Sequence, residues 1–248
     1  MTKTTGLGDN FYYGGYDLSG DTNSLQSIHG GFSTWESTGI DKFAHERLAL
    51  LRDGGIKWTS YFNPDLAKAH DALSPRITTD RIATYCRGTT LGNAGACLIS
   101  KQINYDPTRG QDGSLTIDVE AMANEYGLEW GQQLTAGLRT DTGATNGTSV
   151  DTTGSLAFGA QAYLQVTGFA GTDATISVQD SANDIAFTDV TGLVFTAVTA
   201  APFAERKATS NAATIRRYLR IATTTSAGFT SLTFNVIVVK NATAGIVF

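Results

Sequence analysis

The chain is short of the residues that chemistry most often needs. Its 248 residues include two cysteines, Cys86 and Cys97, too few for a disulfide scaffold. Neither sits in a nucleophile signature. They read as small buried residues on neighbouring strands, facing each other if the turn-rich stretch from Gly88 to Gly95 closes a symmetric hairpin. The three histidines, His29, His45 and His70, are scattered, so no metal-ligand spacing exists and no metal is expected. There is no Gly-x-Ser-x-Gly elbow. Gly6-Leu7-Gly8 follows no strand, so it is no dinucleotide fingerprint. The run Asp106 to Gly113 has the composition of a calcium loop without its spacing, and reads as an exposed turn. No catalytic residue, cofactor or enzymatic activity is expected.

Charge is also scarce. Asp, Glu, Lys and Arg make up 17% of the chain, against roughly 25% in ordinary globular domains. The formal net charge is −5 and no stretch is dominated by Lys or Arg. A duplex gripped through its phosphates is therefore excluded as a partner, while an acidic surface past which DNA slides is not. No apolar run approaches the ~18 residues of a membrane helix, so no membrane partner is expected. The opening residues Met1 to Gly6 lack a signal-peptide core, which points to synthesis in a cytoplasm. The sequons at Asn146 and Asn241 carry no weight without secretion.

What the chain has instead is Thr, Ser, Gly and Ala, the composition of short strands joined by many turns. A mainly-β fold in two parts is expected: residues 1–140, a polar linker at 141–154 rich in small turn residues, and residues 155–248. In the first part Asp53-Gly54-Gly55 reads as a hairpin turn. It leads into a strand with Ile56, Trp58, Ser60 and Phe62 on one face. Asn63 and Pro64 read as the N-cap and first position of a helix that ends near Ser74. Strands follow at Arg81–Arg87, Ala96–Tyr105, Leu115–Ala121 and Gly127–Leu134, giving a β-sandwich or roll with one flanking helix.

The second part alternates throughout. Ala162, Leu164 and Val166 oppose Gln161, Tyr163 and Gln165; Ala174, Ile176 and Val178, then Ile215, Leu219 and Ile221, then Leu232, Phe234, Val236 and Val238 supply further core faces. An immunoglobulin-like or jelly-roll sandwich is expected. Arg217 breaks the alternation, either at a bulge or paired with a buried carboxylate. Arg216, Tyr218 and Arg220 share one strand face and form a candidate surface patch, though arginine beside an aromatic is also common in purely structural settings.

Several runs, taken in order, carry a resemblance: Tyr16-Asp17-Leu18-Ser19-Gly20-Asp21, Thr38-Gly39-Ile40-Asp41-Lys42, Ile56-Lys57-Trp58-Thr59, Tyr61-Phe62-Asn63-Pro64, Asn104-Tyr105-Asp106-Pro107-Thr108-Arg109-Gly110 and Tyr126-Gly127-Leu128-Glu129-Trp130-Gly131. Residues 5 to 140 resemble the tail tube proteins of long-tailed bacteriophages, particularly those infecting actinobacteria. The resemblance implies a virion protein of the tail, assembled in a host bacterial cytoplasm. It implies hexameric rings stacked into a tube, with the tape measure and tail terminator proteins as further partners, and viral DNA passing through the lumen without tight binding. Strands around 46–62 and between 113 and 134 are the candidate inner sheet, with Asp118 and Glu120 as candidate lumen-facing residues. The second part takes the place of an outer domain. Tyr163 and Tyr218 there motivate a host-surface glycan as a further partner. The alternatives are another virion component (minor tail, baseplate or head decoration) and a carbohydrate-binding surface module.

Overall fold

The computed structural model describes residues 5–75 and 78–245; residues 1–4, part of the opening segment considered above, lie outside it. The fold is mainly β. The elements of the first part are β1 (Asn10–Tyr13), β2 (Tyr16–Asp17), β3 (Thr22–Glu36), β4 (Arg47–Tyr61), α1 (Ala69–Leu73), β5 (Arg81–Cys86), β6 (Ala94–Gln102), β7 (Asp106–Arg109), β8 (Leu115–Ala123), β9 (Glu129–Gln133) and β10 (Arg139–Asp141). Then come β11 (Thr145–Asn146), β12 (Val150–Asp151), β13 (Ala160–Ala170), β14 (Ala174–Ser181), β15 (Thr188–Val194), β16 (Phe203–Ala208), β17 (Tyr218–Thr225) and β18 (Ser231–Lys240).

The first sandwich sets the layer β2-β1-β5-β6 against β3-β4-β8-β7. Between them lie Phe11, Tyr13, Ile56, Trp58, Leu98, Ile117 and Val119, all buried. Trp58 is the centre of this core, with the rings of Phe11 and Tyr13 tilted against it at 4.9 and 5.5 Å. Ile56, Trp58 and Ser60 face inward as their alternation predicts. Helix α1 closes the sandwich with Ala69, Ala72 and Leu73. It is shorter than expected and does not start at Pro64. The Asn63 side chain instead accepts from the Asp65 amide at 3.2 Å, a local turn, and Ala67 has φ 61°, which interrupts helical geometry. The helix is capped from afar: the Ala69 amide donates to Asp21 at 3.0 Å, and Asn63 holds the same carboxylate at 2.9 Å.

The second sandwich packs β16-β13-β18-β10 against β15-β14-β17, which also carries β11 and β12. All the apolar faces anticipated for it are buried in one core. Residues 141–154, read as a polar linker, are fastened down: β11 and β12 pair with β17, and Asp141 and Val150 are buried.

One sheet runs through both parts. Strand β9 pairs with β6 on one side and with β18 on the other, and there the sheet folds back so that β13 and β18 pack against β1, β5 and β6. Gly131 makes the corner possible, because a Cβ there would sit 2.2 Å from the carbonyl oxygen of Val238.

The fold-back buries the second face of β13. Gln161, Tyr163 and Gln165, which alternate with its apolar residues, are completely buried and not solvent-facing. Each finds partners across the seam. Glu129 accepts from Gln161 at 2.8 Å and from the Tyr163 hydroxyl in a short hydrogen bond. Arg206 donates to the Tyr163 hydroxyl at 3.1 Å and lies over the Tyr126 ring at 3.8 Å. Gln165 accepts from the Gly15 amide at 2.7 Å and donates to the Ile82 carbonyl and Thr84 hydroxyl. Tyr12, Cys86, Cys97 and Ile237 fill the apolar part. The two cysteines are free. In register Cys97 lies opposite Thr84 and Cys86 opposite Gly95, so the hairpin does not set them face to face.

Gly131→Ala must displace the β18 backbone and is expected to cost about 1–3 kcal/mol, read from urea unfolding. In the seam, burial pushes the Cys86 thiol up to about 12 and raises Cys97, Tyr12 and, together with Glu129, Tyr163 above their ordinary values. The folded state thus holds these protons more tightly than the unfolded chain. Stability from this source is complete below the ordinary thiol value of 9.0 and is lost as pH rises through the folded values. Melting temperature is expected to fall steeply above about pH 9, with both thiols unreactive towards disulfide reagents until the protein unfolds.

Candidate assembly interface

Strands β3 and β4 are each 15 residues long, so their hairpin reaches about 50 Å. Only its inner half belongs to the core. Asp53-Gly54-Gly55 is not a turn: β4 runs straight through it, with Gly54 opposite Gly30 and Gly55 opposite His29. The glycines are there for close approach. A Cβ on Gly30 would meet Leu128 Cβ at 2.6 Å, and one on Gly54 would meet the Leu128 amide nitrogen at 2.8 Å. Leu128 crosses the ribbon at this gap, and beyond it the hairpin leaves the body.

From residue 31 to residue 51 every residue of the ribbon and its tip is exposed or partly exposed. Polar contacts shape the tip: His45 Nδ1 lies 2.8 Å from Glu36, Thr38 accepts from the Glu46 amide at 3.0 Å, and Lys42 pairs with Glu46 at 3.6 Å. Its apolar residues have no such contacts. Ile40 and Phe43 are fully exposed, and Trp35 and Leu48, opposite each other in register, are each at least half exposed. Leu50 and Leu51 follow on alternate faces. At the root, Phe32, Leu50, Leu51, Ala123 and Tyr126 line an open cavity of about 510 Å³. Arg52 anchors this root to the seam, 3.5 Å from Glu129.

The candidate lumen residues lie beside this ribbon. Asp118 and Glu120 are partly exposed on β8, on the face opposite Ile117 and Val119. Asp118 pairs in register with Thr59 and accepts from its hydroxyl at 2.6 Å; Glu120 pairs in register with Lys57. They share the polar outer face of the β4–β8 layer.

The expected patch in the second part is less open than its sequence implies. Arg216, Tyr218 and Arg220 are all partly buried. Arg216 binds Asp180 through Nε at 2.8 Å, and Arg220 binds Gln179 at 2.9 Å and lies 4.2 Å from the centre of the Phe187 ring. The cation over Tyr218 comes from neither of them but from Arg217, at 5.1 Å. Arg217 precedes β17 and points outward, pairing with Asp151 at 2.6 Å, so it is neither inward-facing nor paired with a buried carboxylate. Its hydrogen bonds bring Asp151 down to about 2. Tyr163 belongs to the seam and is removed from any glycan surface. Among the described residues, no group of three or more His, Cys, Asp or Glu is placed to hold a metal ion.

No protein-family model matches the chain, and no curated protein sequence does. Among solved structures, the Dit (gp 19.1) protein of phage SPP1, described as a paradigm of the hub adsorption apparatus in phages infecting Gram-positive hosts, is 12% identical with a TM-score of 0.33, covering 94% of this chain and 99% of that one. The phage p2 baseplate in its activated conformation with Sr gives 10% identity and a TM-score of 0.31, covering 94% and 98%. The structure of the same name with Ca gives 12% and 0.26, with the same coverage. At these TM-scores the likeness assigns no fold.

A two-stranded ribbon without a packed face is marginal in water. In the isolated chain, amides of residues 32–51 are expected to exchange with deuterium far faster than those of residues 56–60 in the same hairpin, measured by exchange mass spectrometry.

Proposed function

We propose that this chain is a structural, self-assembling subunit of a bacteriophage tail, and that its rings stack into the DNA-conducting tail tube. The observation that carries this reading is the projecting hairpin. Its outer half displays apolar side chains on both faces, as an arm does when its packing partner is another molecule. An arm on one part of a subunit that seats on a different part of the next makes a heterologous contact, which generates a ring when the rotation closes. The family resemblance of residues 5–140 supports a hexameric ring and supplies the tape measure and terminator proteins as neighbours along the tail. The β4–β8 face then lines the channel. Asp118 and Glu120 place carboxylates towards the DNA, which lowers its tendency to stick by its phosphates. The second sandwich lies outside, clamped to the first by the Glu129 seam. The virion tail is the location, and catalysis has no part in the reading.

The test is electron microscopy of the purified protein at high concentration, beside an Ile40→Ser/Phe43→Ser variant. Stacked rings with Asp118 and Glu120 on the channel wall are expected from the parent chain. The variant is expected to stay monomeric with an unchanged melting temperature, since both side chains are fully exposed. Rings that close but never stack would move the protein to a tail hub or baseplate. A monomer under all conditions, or a variant that assembles as well as its parent, would remove the hairpin as the assembly device.

A further inference from the structure

The root of the hairpin has the chemistry of a socket, and the tip has that of a plug. Phe32, Leu50 and Leu51 from the hairpin, Ala123 at the end of β8 and Tyr126 beyond it line the open cavity of about 510 Å³. That volume lies within the roughly 300–1,000 Å³ of pockets that enclose a ligand. Leu51 is 81% exposed and Phe32 59%, so the apolar lining is unfinished in the single chain. Among the described residues that line the cavity, one base and one acid stand beside the apolar ones, Arg52 and Glu125.

The tip offers the matching set in four consecutive residues, Ile40-Asp41-Lys42-Phe43. Ile40 and Phe43 are fully exposed. Between them stand one acid and one base. Lys42 meets Asp41 at 3.9 Å and Glu46 at 3.6 Å, ion pairs in open water that are readily exchanged for others. The tip does not fill the cavity of its own chain. Glu36 and Arg47, paired in register, stand four residues beyond Phe32 and five beyond Arg52. They are about 13 Å further out along the ribbon, and the tip lies past them. Another copy of the chain can bring a tip to the cavity; the ribbon cannot bring its own.

We propose that the tip of one copy plugs the root cavity of the next. Phe43 is the buried anchor, Ile40 covers Leu51, Asp41 turns towards Arg52 and Lys42 towards Glu125. The proposal rests on the assembly reading above and names the contact that carries it. An aromatic anchor in an apolar pocket with a polar rim is the pattern of an energetically central contact, and opposite charges on the two rims set its orientation. Each copy carries one tip and one cavity, so every contact leaves a tip and a cavity for further copies.

The test is disulfide trapping in the full chain. One chain carrying Ile40→Cys is mixed with another carrying Leu51→Cys under mild oxidation; the native thiols are buried and stay out of the reaction. A covalent pair holding one of each chain is expected, in excess of any pair that either chain forms alone. Lys42→Glu in the first chain, or Glu125→Lys in the second, is expected to lower its yield at least about fivefold, and the two together to restore it. Both positions are exposed, so neither change disturbs the core. Rings or tubes that form without the mixed pair would overturn the plug and leave the assembly reading standing. A mixed pair found only in closed dimers would support the plug and remove the ring. Residues 246–248, Ile-Val-Phe, continue the chain from Gly245 at the cavity wall. A bond between Phe248→Cys and Leu51→Cys within one chain, with none from Ile40→Cys, would give the cavity to that segment and overturn the proposal.

Discussion

A carboxylate shut away from water holds the two sandwiches together. Glu129 is buried at the point where the common sheet turns, and it would be strongly disfavoured there without compensation. Gln161 and Tyr163 come from β13, Arg206 from β16 and Arg52 from β4. Three strands thus converge on one charge carried by a fourth, β9. Removing any of these partners leaves charge or hydrogen-bonding capacity stranded in a closed space, so the relative placement of the sandwiches is fixed in register and not merely favoured by area. An apolar seam of the same size could slide by a residue pair; this one cannot without breaking every bond at once.

The short segment from Tyr126 to Gly131 explains why so many features depend on one another. Tyr126 lies under Arg206, Leu128 fills the glycine gap of the hairpin, Glu129 closes the seam, Trp130 meets the Tyr85 ring edge to face and Gly131 lets the sheet fold back. The direction in which the hairpin leaves the body is set by Leu128 and Arg52, and both are tied to the seam. The outer half of the arm is exposed on both faces, while its root is tied through Arg52 to Glu129.

The apolar faces were legible in the sequence wherever a strand is buried on one side only. Ile56 and Trp58, and the four core faces of the second part, follow their alternation because a period of two decides which face meets the core. Other features were hidden for physical reasons. Gln161, Tyr163 and Gln165 read as solvent-facing because polar residues normally are; a second buried face satisfied by side-chain partners leaves no mark in hydropathy. The run Asp53-Gly54-Gly55 has turn composition, but glycine serves close approach as well as turning, and only the position of Leu128 separates the two uses. Helix α1 begins late because its cap is Asp21, a residue 48 positions away. The length of the hairpin was missed for a related reason. Its outer half has no core, so it carries no clean alternation, and its exposed Trp35, Phe43 and Leu51 are recognisable as an arm only once nothing is found beneath them.

That exposure has a further consequence. Both faces of β13 are spent within the chain, and so are the inner faces of β4 and β8. Among the described residues, the fully exposed Ile40 and Phe43 stand at the tip of the arm. In the proposed assembly the tip of the arm seats on a different part of the next copy, while the arm itself lines the cavity at its root through Phe32, Leu50 and Leu51. A contact between unlike surfaces does not saturate at two copies. It continues until geometry closes it or a filament grows. The angle at which the hairpin leaves the body therefore decides between a closed ring and an open chain. Because Leu128 and Arg52 tie that angle to Glu129, the buried charge that joins the sandwiches also sets the curvature of the proposed assembly.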